Sequence, residues 1–262
     1  MNGTPMEVWL DTDPGFDDWM AWALLEADPA FTLLGVSVVA GNAPLPATLG
    51  NALRIKALHG FTTPVHAGCD RPLAQPQVTA EDVLGVGAMA TRGRRLPEAR
   101  AELSPGDGVQ ALIDAVRARP GRVTLLAVGP LTNVATALAR APELPRLLKR
   151  LVIMGGSTDS GNTSAVAEFN IHADPEAAAQ VFDAGIEVVM FGLNGCRHVP
   201  VGETELAALR ALPGEAPAIF ADHLDAYIDH GRRHGATSMA LYDPTPVLWL
   251  SRPELFELQP AR

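Results

Sequence analysis

The chain has only two cysteines in 262 residues, Cys69 and Cys196, far apart and without C-x-x-C spacing. That argues against a disulfide framework or a thiolate zinc site and leaves two buried free thiols as the expectation. Lysine is just as scarce, with Lys56 and Lys149 alone, and the formal net charge is −10. A nucleic-acid backbone or an anionic membrane surface needs basic patches, so neither is an expected partner. No apolar run approaches the ~20 residues of a membrane span. The opening "MNGTPMEVWLDTDPG" also lacks the basic-then-apolar order of a secretory signal. These absences point to a cytoplasmic protein acting on a small polar molecule.

What is present is core-forming material. With 47% hydrophobic residues the chain can bury a sizeable interior, and its length suits one domain over 1–262, since α/β folds of this size often stay undivided. Apolar, β-branched runs at 6–10, 31–40, 122–128, 150–154 and 186–192 alternate with helix-period segments at 17–28, 46–59, 107–118, 131–140 and 174–184. Strands that are apolar throughout are those covered on both faces, which predicts an α/β fold: an open, mostly parallel sheet flanked by helices, with a Rossmann-like core. The Pro- and Gly-rich stretch 62–106 is expected to be an irregular insertion over the sheet. In such sheets ligands sit beyond the carboxyl ends of the strands. The residues that follow the strands are Asp11, Asp13, Asp17 and Asp18, then Gly41-Asn42, Met154-Gly155-Gly156 and Asn194.

The first of these groups, "DTDPGFDD", places four aspartates within eight positions. Like charges this close raise each other's pKa or need a cation to offset them. Pro14-Gly15 suits a sharp turn, and Asp17-Asp18 suit the start of a helix, whose dipole favours negative charge. A cap uses one side-chain acceptor, so capping accounts for one aspartate and not four. A hard cation such as Ca2+ or Mg2+ accounts for the rest. An EF-hand does not, because counting from Asp11 puts Phe16 at the required glycine and Trp22 at the required glutamate. An aspartyl-phosphate chemistry with Mg2+, using Asp11 or Asp13 as nucleophile, is the alternative; it needs a strand-end Ser/Thr and a lysine for phosphate.

In the second informative stretch, 154–178, Glu168 and Asn170 point the same way if the segment is extended, presenting a carboxylate and an amide suited to vicinal sugar hydroxyls. Asp174-Pro175 reads as a helix N-cap followed by proline at the first helical position. His230 and His234 stand four apart on a helix end, with Gly and two Arg between, which favours a solvated helix end over a zinc motif.

In this order, "DTDPGFDD", "VVAGN" (38–42), "AVGPLTN" (127–133), "VIMGG" (152–156), "GNTSAVAEFNIHADPEAA" (161–178) and "YDP" (242–244) resemble the inosine–uridine-preferring nucleoside hydrolase family over nearly the whole chain. The resemblance implies hydrolysis of the N-glycosidic bond of ribonucleosides, with Ca2+ as cofactor and homodimers or homotetramers as the assembly. On the matching positions, Asp13, Asp18 and Asp243 would bind the metal by side chain and Val128 by its carbonyl. Asp17, Asn42, Asn162, Glu168 and Asn170 would hold ribose hydroxyls, Met154 would line the sugar pocket, and Asp13 would take the proton from the attacking water.

The base side departs from the family pattern. Tyr242 stands where many members have histidine before the last metal-binding aspartate, Leu84 stands in place of another histidine, and Asn194 replaces an aspartate. Tyr242 is therefore the candidate proton donor to the leaving base, with Tyr227, His230 and His234 as possible base contacts, while His59, His66 and His172 are expected to be structural. Members generally continue for some tens of residues past the last aspartate motif, whereas this sequence stops at Arg262. A ribose- or nucleoside-binding protein without catalysis is the second alternative.

Overall fold

The computed structural model describes residues 4–260. Six parallel strands form the central sheet: β1 Met6–Thr12, β2 Phe31–Val38, β3 Val65–Ala67, β4 Thr124–Ala127, β5 Arg150–Met154 and β6 Val188–Phe191. Their order is β3-β2-β1-β4-β5-β6. This is the doubly wound arrangement, in which the chain reverses its direction of travel between β1 and β4 and leaves a crevice beyond their carboxyl ends.

Side-chain alternation builds both sides of the sheet. Val8 and Leu10 of β1, Leu126 of β4, and Val152 and Met154 of β5 enter one core. Trp9, Leu125, Ala127, Leu151 and Ile153 enter the other. With both faces covered, most residues of the central strands are apolar, which is why these strands read as nearly continuous runs. On the first face, helix α1 (Phe16–Ala27) buries Trp19, Trp22 and Leu25, and Trp19 meets Phe220 edge-on at 5.1 Å, joining α1 to the long helix Glu215–Arg233. On the second, the helix Gly108–Arg117 buries Val109, Leu112, Ile113 and Val116. Its Asp107 cap accepts the amide of Val109 at 2.8 Å.

The five strands and five helices expected from periodicity are all present, with ends shifted by one or two residues. The stretch 62–106 corrects the expectation of an irregular insertion in part. It carries β3, the sheet edge beside β2, and short helical turns at Glu81–Leu84 and Val86–Ala88. Three residues of strand are too few for periodicity to register. The first of these helical turns lines the crevice through Asp82, Val83 and Leu84.

Candidate active site

The loop after β1 divides the four aspartates. Asp11, still in the strand, is fully buried, and its Oδ2 accepts the Ser37 hydroxyl and the Asn133 side-chain amide, the latter at 2.8 Å. Burial pushes its pKa up to about 7 in spite of these bonds. Of the four aspartates only Asp17 lines the cavity itself; Asp18 joins it in the acidic cluster and Asp13 lies beside them, whereas Asp11 is turned to Ser37 and Asn133, which corrects the expectation that all four face a site.

Asp13 is also fully buried; its Oδ2 accepts the backbone amide of Asn42 at 2.6 Å, while Oδ1 has no partner among the described residues. A β-carbon on Gly41 or on Gly129 would collide with this carboxylate, so glycine at both positions is what lets it sit between the loops after β2 and β4. Asp18, in the first turn of α1, uses both oxygens on the loop. Oδ1 accepts Thr12 Oγ1 at 2.5 Å, and Oδ2 accepts the Gly15 amide at 2.8 Å and the Asn42 amide at 3.2 Å. Asp18 is thus the one aspartate that caps its helix.

Asp17, Asp18 and Asp243 bring a carboxylate oxygen each to within 4.8 Å of one another. Asp243 arrives from the far end of the chain, immediately before the helix Pro244–Ser251. Asp13 stands just behind this trio, close enough that Asp18 and then Asp17 add to the effect of burial in holding its pKa well above the ordinary carboxylate range. Burial, and then Asp18, pushes Asp17 up to about 7, and burial followed by Asp17 and Asp18 raises Asp243 well above its ordinary value. No Lys or Arg forms an ion pair with any of the four among the described residues. Buried carboxylates with an orphaned oxygen and no opposing cation fit a bound metal ion.

Two of the trio, Asp17 and Asp243, line a cavity of about 520 Å³, a size suited to a nucleoside-sized ligand. Asp17, Asn42, Val128, Met154, Glu168 and Asn170 line it, and Asn162 reaches it from an exposed loop, where its Oδ1 accepts the Phe169 amide at 2.9 Å. Glu168 and Asn170 do meet there, but the expected extended segment is a helix start. Glu168 is the N-cap of the short helix Phe169–Ala173, and its carboxylate accepts the amides of Gly156, Asn170 and Ile171 at 2.9, 2.9 and 3.1 Å. Burial still raises its pKa. Asp174 caps the next helix as expected, accepting the Ala177 amide at 3.0 Å.

Tyr227, His230, Met239, Tyr242, Leu84 and His172 also line the cavity. Tyr227 donates its hydroxyl to the Ala240 carbonyl at 3.0 Å, and burial raises the pKa of both tyrosines. Two of the histidine expectations change. His172 lines the cavity although it was expected to be structural, whereas His234 is exposed, pairs with the His230 carbonyl at 2.8 Å and does not reach the cavity. His59, against Trp19, and His66, stacked on Trp9, are structural as expected. Asn194 instead receives the Thr158 amide at 3.3 Å, outside the cavity. Of the thiols, Cys196 is buried and Cys69 only half so. Thr79, Asp82 and Val83 line the cavity as well, and the signal for them in the sequence is the acidic "EDV" within an otherwise irregular stretch.

The family model for inosine-uridine preferring nucleoside hydrolases matches residues 8–262. The chain belongs to that family. This nucleoside hydrolase is 39% identical over 255 residues to the pyrimidine-specific ribonucleoside hydrolase RihA of Shewanella woodyi, covering 96% of this chain and 81% of the relative. To RihA of Citrobacter koseri it is 37% identical over 254 residues, with coverage of 96% and 81%. Among solved structures, the purine-preferring ribonucleoside hydrolase from Gardnerella vaginalis superposes with a TM-score of 0.89 at 28% identity, over 95% of this chain and 81% of that one. A plant nucleoside hydrolase gives 0.90 at 27% identity, over 97% and 81%. The nucleoside hydrolases are enzymes acting on N-glycosyl bonds and depend on a metal, which agrees with the acidic cluster.

Proposed function

We propose that this nucleoside hydrolase cleaves the N-glycosidic bond of ribonucleosides to ribose and free base, using a calcium ion held by Asp13, Asp18, Asp243 and the Val128 carbonyl. The observation that carries this reading is the convergence of the loops after β1, β4 and β5 with Asp243 on one buried acidic cavity. A calcium ion held by these residues would supply a fixed positive charge to polarise water and orient ribose hydroxyls. Asp17, Asn42, Asn162, Glu168 and Asn170 grip the ribose, and Met154 lies along it. As the C1′–N bond breaks, the ribose takes on oxocarbenium character, which a pocket of carboxylates stabilises more in the transition state than in the ground state. A water oxygen bonds to C1′, and Asp13, whose Oδ1 has no protein partner, accepts the proton that the water gives up. The electron pair of the broken bond stays on the base nitrogen, which takes a proton from the Tyr242 side of the cavity.

The phosphotransferase alternative finds no support in the geometry, because Asp11 is bound to Ser37 and Asn133 away from the cavity and neither Lys56 nor Lys149 lines it. We read residues 1–262 as one domain, and family analogy supports a homodimer or homotetramer. The test is release of reducing sugar from nucleosides by the wild type and by Asp13→Asn, which nearly preserves shape but lacks the proton acceptor. The expected outcome is a fall in kcat of roughly 10²- to 10⁴-fold with the fold retained. No ribose release by the wild type on any ribonucleoside would leave the chain a nucleoside-binding protein.

A further inference from the structure

The segment that walls the nucleoside cavity also walls a second one. Residues 78–80 and 82–84 face the first, and Val86, Gly87, Met89 and Leu96 continue into a separate cavity of about 250 Å³ between helix α2 (Leu45–His59) and His223 of the helix Glu215–Arg233. Its charged lining is basic, with Arg54, Arg95 and Arg100 opposed by Glu98 alone. In a chain with 20 basic and 30 acidic side chains, three guanidinium groups on one small cavity run against the overall balance. Glu98 takes the Nη2 of Arg54 at 2.9 Å. Arg95 and Arg100 are exposed at the rim and make no ion pair among the described residues; the Arg100 guanidinium lies 3.8 Å from where a β-carbon on Gly50 would stand.

Deeper in, two buried polar atoms have no partner among the described residues: Nε of Arg54 and Nε2 of His223. His223 is 2% exposed. Its Nδ1 lies 2.8 Å from the Ala90 carbonyl, a contact that requires the proton on Nδ1 and so leaves Nε2 a bare acceptor. Burial, with Arg95 adding to it, lowers the pKa of this imidazole and favours the neutral form. A ligand that satisfies the whole lining must offer charged oxygens to the guanidinium groups and one O–H to Nε2. Hydrogen phosphate offers both, whereas sulfate at neutral pH carries no proton.

We propose that this second cavity is a binding site for the hydrogen phosphate ion, held by Arg54, Arg95 and Arg100 and donating its O–H to His223. Planar guanidinium forks match phosphate oxygens in geometry as well as charge. The site also touches the metal loop at one remove, because Asn51, on the cavity wall, donates its side-chain amide to the carbonyls of Pro14 and Gly87, both at 2.8 Å.

Thermal unfolding of the metal-loaded protein in inorganic phosphate, sulfate and chloride at matched ionic strength tests this without any use of hydrolysis, comparing the wild type with the double variant R95Q/R100Q. Both positions are exposed, so the double variant should melt with the wild type when phosphate is absent. Phosphate is expected to raise the wild-type melting temperature by a few degrees beyond chloride and sulfate, and to lose that increment in the double variant. Equal stabilisation by sulfate or chloride, or an undiminished phosphate response in R95Q/R100Q, would overturn the site. A larger response to ribose 5-phosphate than to inorganic phosphate would overturn the free ion as its ligand.

Discussion

The side-chain amide of Asn170 donates to the backbone carbonyl of Val128 at 2.8 Å and to that of Met154 at 3.1 Å. One residue thus ties the end of β4 to the end of β5 and fixes the direction of the carbonyl assigned to the metal. An asparagine that served only to bind ribose would have no such reach.

Asn170→Ala should therefore weaken metal binding as well as ribose binding. Calcium titration followed by thermal shift is expected to show a weaker metal in Asn170→Ala, by roughly 10- to 100-fold as for other groups that orient metal ligands. An unchanged calcium affinity with a raised KM would restrict Asn170 to the sugar.

Removal of the metal should expose the repulsion among Asp13, Asp17, Asp18 and Asp243. Chelation is expected to abolish activity and to lower the melting temperature, since a ion bound only by the folded chain stabilises it. In Asp243→Asn the drop on chelation should be much smaller, because a ligand is already lost and one like charge is gone. A chelator that leaves both activity and melting untouched would reject the metal.

Tyr242 lines the cavity half-buried, and burial raises its pKa, which makes it a weak proton donor at neutral pH. Slow turnover of inosine and uridine is expected, with much faster release of p-nitrophenolate from its riboside, which needs no protonation. Tyr242→Phe should lower kcat on the nucleosides alone. An equal effect on both substrates, or none, would make Tyr242 a packing residue.

His59 accepts the Trp19 indole N–H at 2.8 Å through Nε2, which requires a neutral ring, and burial lowers its pKa below the ordinary 6.5. The unfolded chain therefore takes up this proton first as the pH falls, and the folded state loses stability from about pH 6.5 downward through the depressed folded value. His59→Gln keeps an acceptor that does not titrate. Melting temperatures of the two proteins, alike at about pH 8, should separate in favour of the variant as the medium is acidified. Parallel curves across that range would remove His59 from the acid response.

Much of this molecule can be read along the chain. Strand residues such as Val8 to Leu10 and Leu151 to Ile153 are apolar on both faces because helices cover both, and a covered strand leaves a continuous run in the sequence. The aspartate cluster, the Asp174 cap and the family motifs are likewise local, since each depends on residues a few positions apart. Tertiary structure alone decided which aspartates serve the site. Asp11 and Asp13 look equivalent in "DTD", yet Asp11 is bound by Ser37 and Asn133, which lie 26 and 122 positions away, while the collapse of Gly41 and Gly129 onto Asp13 leaves that carboxylate one free oxygen. Asp243 joins Asp17 and Asp18 only because the helix it precedes packs on α1, and His172 reaches the cavity only because Glu168 starts a helix where alternation suggested a strand. Hydrogen bonds and packing between distant segments leave no periodic trace, so their partners become visible only once the chain is folded.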